Sequence, residues 1–261
     1  MVIVCDLDGV VWLADQPIDG AAQAVSALRA AGHTVAFASN FSDAPASALG
    51  AKLAAMGIEP REDLVTSPMA AASLLSTGER VLVLGGPGTL EAVERAGASV
   101  VDAVAVAEPE GPFDAVVVGY RRDVTWDHIR RTSTAVREGA RFIATGTDAT
   151  YPTPRGLVPG NGATVAAIST AAGRSPVVAG KPHEPMAGLI RARYGPTGWM
   201  VGDRPETDGA FARTLGYGWA LVLSGVIGKD DLPVDPEPDT IDPSLTDFTA
   251  RVLAGDAPPP G

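Results

Sequence analysis

The sequence predicts an α/β protein built on parallel sheets, and three observations predict it. Short apolar runs alternate with helical patterns along the chain. The runs are rich in Val, Ile, Leu and Ala and have strand length, while the stretches between them carry apolar residues three and four apart. Six of the helical patterns are followed closely by a glycine, at Gly32, Gly57, Gly97, Gly139, Gly173 and Gly216, where a left-handed residue would close a helix. Strand and helix in steady alternation give a parallel sheet with helices on both faces.

Taken in order, residues 2–5 are the first strand, followed by helical spacing over 21–31. A strand at 34–38 leads to helical patterns at 44–56 and 68–75. Strands at 80–84, 115–118 and 141–144 then alternate with helices at 90–96, 126–138 and 163–172. The last part repeats the theme, with strands at 177–179, 199–201 and 219–223 and helices at 185–194 and 207–215. The Pro- and Asp-rich stretch 230–242 reads as surface loop, and 258–260 as a frayed end. No repeat of solenoid length is present.

The 261 residues, 46% of them apolar, suffice for one large domain or two modest ones. No apolar run reaches bilayer-spanning length, and the start lacks the basic segment of a secretory leader, so the expected location is cytoplasmic. The single cysteine, Cys5, lies in a strand pattern and reads as a small buried hydrophobe. A formal net charge of −11 argues against a nucleic-acid backbone or an anionic membrane surface as partner. Lysine is scarce, occurring only at Lys52, Lys181 and Lys229.

Four short motifs each follow a strand. Asp6-Leu7-Asp8-Gly9 follows the first, and its two carboxylates can turn toward one crevice as a nucleophile and a general acid and base, or be a charged turn. Ser39-Asn40 follows the second; a hydroxyl and an amide there can donate to phosphate oxygens, or cap a helix. Gly180-Lys181-Pro182 sets a lysine in a rigid turn, where it can neutralise a phosphoryl group or simply be solvated. In Gly202-Asp203…Thr207-Asp208 one acid ends a strand and the other falls in the first turn of the next helix, a spacing that can face a cation. In open α/β sheets ligands bind beyond the carboxyl ends of strands, so four motifs in that position outweigh any one alone.

With these motifs in that order, and with the stretches ATGTDATYPTPRGLVPGNG (144–162), GKP, MVGDR and LVLSGV, the chain resembles the haloacid dehalogenase superfamily, and within it the NagD-like phosphatases with a class IIA cap. The resemblance covers nearly the whole chain. It implies a Rossmann-like core and a Mg²⁺-dependent hydrolase of small phosphomonoesters. Asp6 would attack phosphorus, and Asp8 would protonate the leaving oxygen and then activate water. Mg²⁺ would be held by Asp6, the Asp8 carbonyl and Asp203, with Asp208 in support. Ser39 and Asn40 would bind phosphoryl oxygens, and Lys181 would steady Asp6 and its phosphoryl group. Relatives often have Thr-Asn-Asn where this chain has Ser39-Asn40-Phe41, so the hydroxyl is kept and Phe41 departs from the family's second amide.

The long interval between Asn40 and Lys181 holds enough strand–helix alternation for an inserted small α/β domain, placed at 79–176, with 1–78 and 177–261 as the catalytic core. Such a cap would exclude water and select the leaving group, with Asp148 and Tyr151 as candidate substrate contacts. Caps of this family also often mediate dimers, which implies a homodimer. Gly85-Gly86-Pro87-Gly88-Thr89 lacks the lysine of a nucleotide loop and reads as a tight turn into a helix. His33, His128 and His183 have no metal-ligand spacing, and Met69, Trp126 and Trp199 read as packing residues. A catalytically silent phospho-ligand binder and a phosphotransferase using the same intermediate are the alternatives, whereas a dinucleotide-dependent oxidoreductase would need a glycine fingerprint that is missing after the first strand.

Overall fold

The computed structural model describes residues 1–13, 16–108, 111–153 and 156–257. In chain order the elements are β1 (Val2–Cys5), β2 (Trp12–Leu13), β3 (Gln16–Pro17), α1 (Ala21–Ala30), β4 (Thr34–Ser39), α2 (Ala46–Ala55), β5 (Leu64–Thr66) and α3 (Ser67–Ala72). Then follow β6 (Arg80–Leu84), α4 (Pro87–Arg95), β7 (Ser99–Asp102), β8 (Ala115–Val118), α5 (Trp126–Arg137), β9 (Arg141–Ala144), β10 (Thr150–Thr153), β11 (Gly156–Pro159) and α6 (Asn161–Ala172). The chain ends with β12 (Val177–Val178), α7 (Glu184–Tyr194), β13 (Gly198–Gly202), a π-helical turn (Pro205–Gly209), α8 (Ala210–Leu215), β14 (Gly218–Val222), β15 (Thr240–Asp242) and α9 (Leu245–Ala254). All six glycines expected to close helices have positive φ. No helix among the described residues is long and apolar enough to cross a membrane.

The chain forms two compact units, the first comprising Met1–Ser39, Leu49–Val65 and Lys181–Gly261 and the second Asn40–Ala48 and Thr66–Gly180. The first is built on a six-stranded sheet in the order β15-β14-β13-β1-β4-β5. β1 runs parallel to both neighbours, with Cys5 opposite Val201 on one side and Phe37 on the other. The strand order therefore reverses at β1, which makes its carboxyl end the switch point where an open sheet leaves a crevice. Buried Ala21, Ala24, Val25 and Leu28 fall on one stripe of α1, which packs on α9. Phe37, Phe211 and Phe248 are wholly buried, each contributing about 1.5–3 kcal/mol by leaving water. Cys5 is buried, and burial pushes its thiol up to about 12, so it is inert.

The tail departs from expectation. Thr240–Asp242 is an edge strand parallel to β14, followed by α9, whose N-cap Ser244 hydroxyl accepts the Thr246 N–H at 3.2 Å. The final helical pattern also splits. Pro205 opens a wide π-helical turn in which the Arg204 carbonyl accepts from Thr207, Asp208 and Gly209, so Asp208 lies in the first turn of a π-helical segment that runs directly into α8.

The second unit has a five-stranded parallel sheet in the order β12-β9-β8-β6-β7 and a β10–β11 hairpin. Leu82, Leu84, Val116, Val118, Phe142, Val165 and Ile168 form its core. The GGPGT stretch is a turn into α4, with Gly86 as N-cap and Pro87 in the first helical position. Segment 42–44 lies against that turn: Thr89 Oγ1 donates to the Ser42 carbonyl (3.0 Å), the Tyr120 N–H to Ser42 Oγ (2.9 Å) and the Gly88 N–H to the Asp43 carbonyl (2.8 Å). His128 caps α5 through Thr125, its Nδ1 accepting the Thr125 N–H at 3.1 Å. Trp126, expected to pack, is 82% exposed, because it falls off the stripe through Thr132, Ala135 and Val136 that α5 buries.

Candidate active site

At the carboxyl end of the first sheet the chain leaves β1 with the Asp6 N–H bonded to the Val201 carbonyl of β13 at 2.9 Å. This holds Asp6 beside the Gly202-Asp203 end of β13. Lys181 reaches between the motifs: its ammonium donates to Asp6 Oδ1 and to Asp208 Oδ1, both at 2.7 Å. The lysine side chain is 2% exposed, and that of Asp208 is fully buried. Asp208 Oδ2 accepts the N–H groups of Asp203 and Arg204 at 3.2 Å, so both its oxygens are committed. Asp203 Oδ2 accepts the Val226 N–H at 2.8 Å, whereas the buried Asp203 Oδ1 has no partner among the described residues.

Two glycines make room for this cluster. A Cβ on Gly9, whose φ is +82°, would lie 2.3 Å from Asp203 Oδ2, and one on Gly225 would lie 2.0 Å from the same oxygen. Ser224 ties the two loops together by donating to the Gly9 carbonyl at 2.7 Å. The sequence contained a hint in LVLSGV, but nothing in it showed that Gly225 and Val226 close over Asp203.

Burial pushes the Asp6 carboxyl up to about 8, against the pull of Lys181 and with help from the charges of Asp208 and Asp203. Asp203 is pushed up to about 6, by burial first and by Asp208 next. Burial alone would lower Lys181, but Asp208 and Asp6 outweigh it and hold the lysine charged. Oxygens of Asp6, Asp203 and Asp208 lie within 4.8 Å of one another. Three acids crowd one lysine, and with a buried Asp203 oxygen that has no partner among the described residues this donor set fits a hard divalent cation.

Asp8 is held apart from that cluster. Its Oδ1 accepts the Trp12 indole N–H at 3.0 Å, and the Lys52 ammonium stands 4.3 Å from the centre of the same ring. The residue as a whole is exposed, yet partial loss of water around the carboxyl raises it, with Lys52 and the Trp12 N–H opposing. Neither Trp12 nor the role of Lys52 was legible in the sequence, although the scarcity of lysine was a signal.

Ser39 is buried at the end of β4, which is paired to β1. Asn40 belongs to the second unit, where its carbonyl accepts the Ser67 hydroxyl at 2.9 Å and its Oδ1 would lie 2.5 Å from a Cβ on Gly180. In that unit Asp148 is exposed, and its carbonyl accepts the Gly162 N–H at 2.9 Å. Tyr151 lies in β10, but its side chain is outside the described residues.

A switch point that gathers acids around one buried lysine makes a crevice whose donor set suits a hard cation. The family model for haloacid dehalogenase-like hydrolases matches residues 3–99, and a second, HAD-hydrolase-like, matches 178–248. The chain is 36% identical over 230 residues to the D-glycerol 3-phosphate phosphatase of Mycobacterium tuberculosis, covering 86% of this chain and 63% of that one. It thus spans about three fifths of that relative's length. It is 33% identical over 239 residues to an acid sugar phosphatase of Staphylococcus aureus, covering 87% and 88% of the two chains. Among solved structures, a glycerol phosphate phosphatase of M. tuberculosis in complex with magnesium matches with a TM-score of 0.85 at 34% identity, over 95% of this chain and 75% of that one. The chain belongs to the haloacid dehalogenase-like hydrolase family.

Proposed function

We propose that this protein is a Mg²⁺-dependent phosphatase of small phosphomonoesters that works through an aspartyl-phosphate on Asp6. The observation that carries the reading is Lys181, buried between Asp6 and Asp208 near an Asp203 oxygen that has no partner among the described residues. Asp6, the Asp8 carbonyl and Asp203 would hold the cation, while Asp208, whose oxygens are engaged, supports the site by fixing Lys181 and the Asp203 backbone. Bound there, Mg²⁺ supplies positive charge against the phosphoryl oxygens and the crowded carboxylates. A relative that binds magnesium supports this choice of metal.

In the first step an Asp6 oxygen forms a bond to phosphorus while the ester P–O bond breaks. Its electron pair stays on the leaving oxygen, which takes the proton of Asp8. In the second, water attacks phosphorus as Asp8 takes its proton, and the Asp6–phosphorus bond breaks to restore the carboxylate and free phosphate. Lys181 neutralises charge on Asp6 throughout, and Ser39 and Asn40 bind the phosphoryl oxygens. Residues 79–176 serve as a cap over the core of 1–78 and 177–261, with Asp148 and Tyr151 contacting the leaving group. Polyol and sugar phosphates are the favoured substrates, since relatives are named for glycerol phosphate and acid sugars. A homodimer through the cap and a cytoplasmic location complete the proposal.

The test is release of nitrophenol from p-nitrophenyl phosphate with Mg²⁺ or with EDTA, for wild type and Asp6→Asn. Turnover that needs Mg²⁺ and disappears in Asp6→Asn is the expected result. Activity persisting in Asp6→Asn would refute the assignment of the nucleophile, and a folded, Mg²⁺-bound but inactive wild type would favour a silent ligand binder.

A further inference from the structure

We propose that the Trp12 indole N–H, braced by Lys52, is the positioning group that aims the Asp8 carboxyl; the inference rests on the role given to Asp8 above. The chain between the two residues is a closed turn. The Leu7 carbonyl accepts the N–H groups of Val10 (3.4 Å), Val11 (2.8 Å) and Trp12 (3.1 Å), and the Gly9 N–H donates to the Trp12 carbonyl at 2.6 Å. This turn brings the start of β2 back beside Asp8, with a backbone bridge between Asp8 and Trp12. The indole then donates to Asp8 Oδ1 at 3.0 Å.

Packing alone does not account for that bond. Trp199 and Trp219 are as deeply buried as Trp12, yet their indole nitrogens have no hydrogen-bond partner among the described residues. Trp12 is 1% exposed and spends its N–H on the carboxylate of an exposed aspartate. An exposed carboxylate without such a tether would distribute over several rotamers, and each competing orientation would lower the share aimed at the leaving oxygen. Pinning Oδ1 leaves Oδ2, which has no partner among the described residues, to carry the proton.

Lys52 makes the tether stiffer and stronger. Its ammonium, 4.3 Å from the ring centre, is within cation–π distance. A cation over the face draws electron density from the indole, which strengthens the N–H as a donor. Lys52 comes from α2 and Trp12 from β2, so two separate elements fix the ring.

Leaving-group dependence tests this directly. Nitrophenolate leaves without needing a proton, whereas the alkoxide of glycerol phosphate needs one, so a misaimed acid harms the second ester selectively. The kcat and KM of wild type, Asp8→Asn, Trp12→Phe and Lys52→Met are measured on both esters with Mg²⁺ saturating. Trp12→Phe should lose about tenfold or more in kcat on glycerol phosphate relative to p-nitrophenyl phosphate, with KM little moved. Lys52→Met should show the same split at about two- to fivefold. Equal losses on both esters in Trp12→Phe, or none, while Asp8→Asn does show the split, would overturn this inference alone. Absence of the split in Asp8→Asn, or no turnover by wild type, would remove the reading of Asp8 and the inference with it. Benzothienylalanine at position 12, which keeps the shape and lacks the N–H, replaces Trp12→Phe if that variant does not fold. Independently of turnover, the Trp12 indole N–H resonance should move in Asp8→Asn and in Lys52→Met; an unmoved resonance in both would also overturn it.

Discussion

Replacing Lys181 by methionine keeps most of the volume and removes the only cation among the groups that bond Asp6 and Asp208 in the structure described. Two ion pairs of 2.7 Å are lost at once, one of them to a carboxylate with no exposed surface. Breaking a buried pair by deleting one partner costs about 3–5 kcal/mol, because the remaining charge stays buried without compensation. That is a large share of the 5–15 kcal/mol that typically holds a domain together. Urea unfolding in EDTA at pH 8, followed by circular dichroism, reads the loss directly. The folded-state value of Asp6 lies above the ordinary carboxylate value, at about 8, and removing the lysine raises it further. Such a group costs more stability as pH climbs above its unfolded value near 3.8, so the deficit of Lys181→Met shrinks at pH 5. Adding Asp208→Asn removes one orphaned charge while keeping an oxygen for the Asp203 and Arg204 N–H groups, and should recover about half the loss or more. A loss below about 1 kcal/mol, with no recovery in the double variant, would refute the electrostatic account of the cluster.

Two further outcomes follow from the same geometry. The gain in Tm on replacing EDTA with Mg²⁺ should be larger at pH 8 than at pH 5, since Asp203 and Asp6, raised to about 6 and about 8, are largely protonated at the lower pH; a gain independent of pH would count against these acids as the ligands. Gly225→Ala should weaken Mg²⁺ binding about tenfold or more by calorimetry, because its Cβ would meet Asp203 Oδ2 at 2.0 Å, whereas Gly228→Ala in the same loop has 3.6 Å to its nearest neighbour and should bind as wild type.

Much of the fold was legible because most of its strands are buried in parallel sheets and so read as unbroken apolar runs: 2–5, 80–84, 115–118 and 141–144 have the bounds expected for them. Other elements lack that signature. Trp12–Leu13 pairs with Gln16–Pro17 over two residues each, and Thr240–Asp242 is a three-residue edge strand inside a Pro- and Asp-rich stretch. Leu245–Ala254 carries its helical periodicity just beyond that stretch, with no apolar strand run beside it to mark it. Within the site, Asp6, Lys181, Asp203 and Asp208 were each marked by position after a strand. Trp12, Lys52 and Val226 were not, because what recruits them is proximity created by turns and by a distant loop. A spacing rule has no access to such contacts. The same limit explains Trp126, whose helical pattern gave no account of which face α5 would bury.

The seating of segment 42–44 against the turn before α4 bears on how this protein can be cut. Residues lying far upstream supply the partners for the Gly88 and Tyr120 N–H groups and for the Thr89 hydroxyl. Gly86 and Gly88 are pressed so closely on that segment that a Cβ on either would fall 2.3 and 2.1 Å from its atoms. A fragment spanning 79–176 would therefore expose a seam where its own chain used to run, with donors left to water and a glycine-lined groove uncovered. An excised second unit that is to stay whole must carry 40–48 with it, joined by a linker or restored by circular permutation.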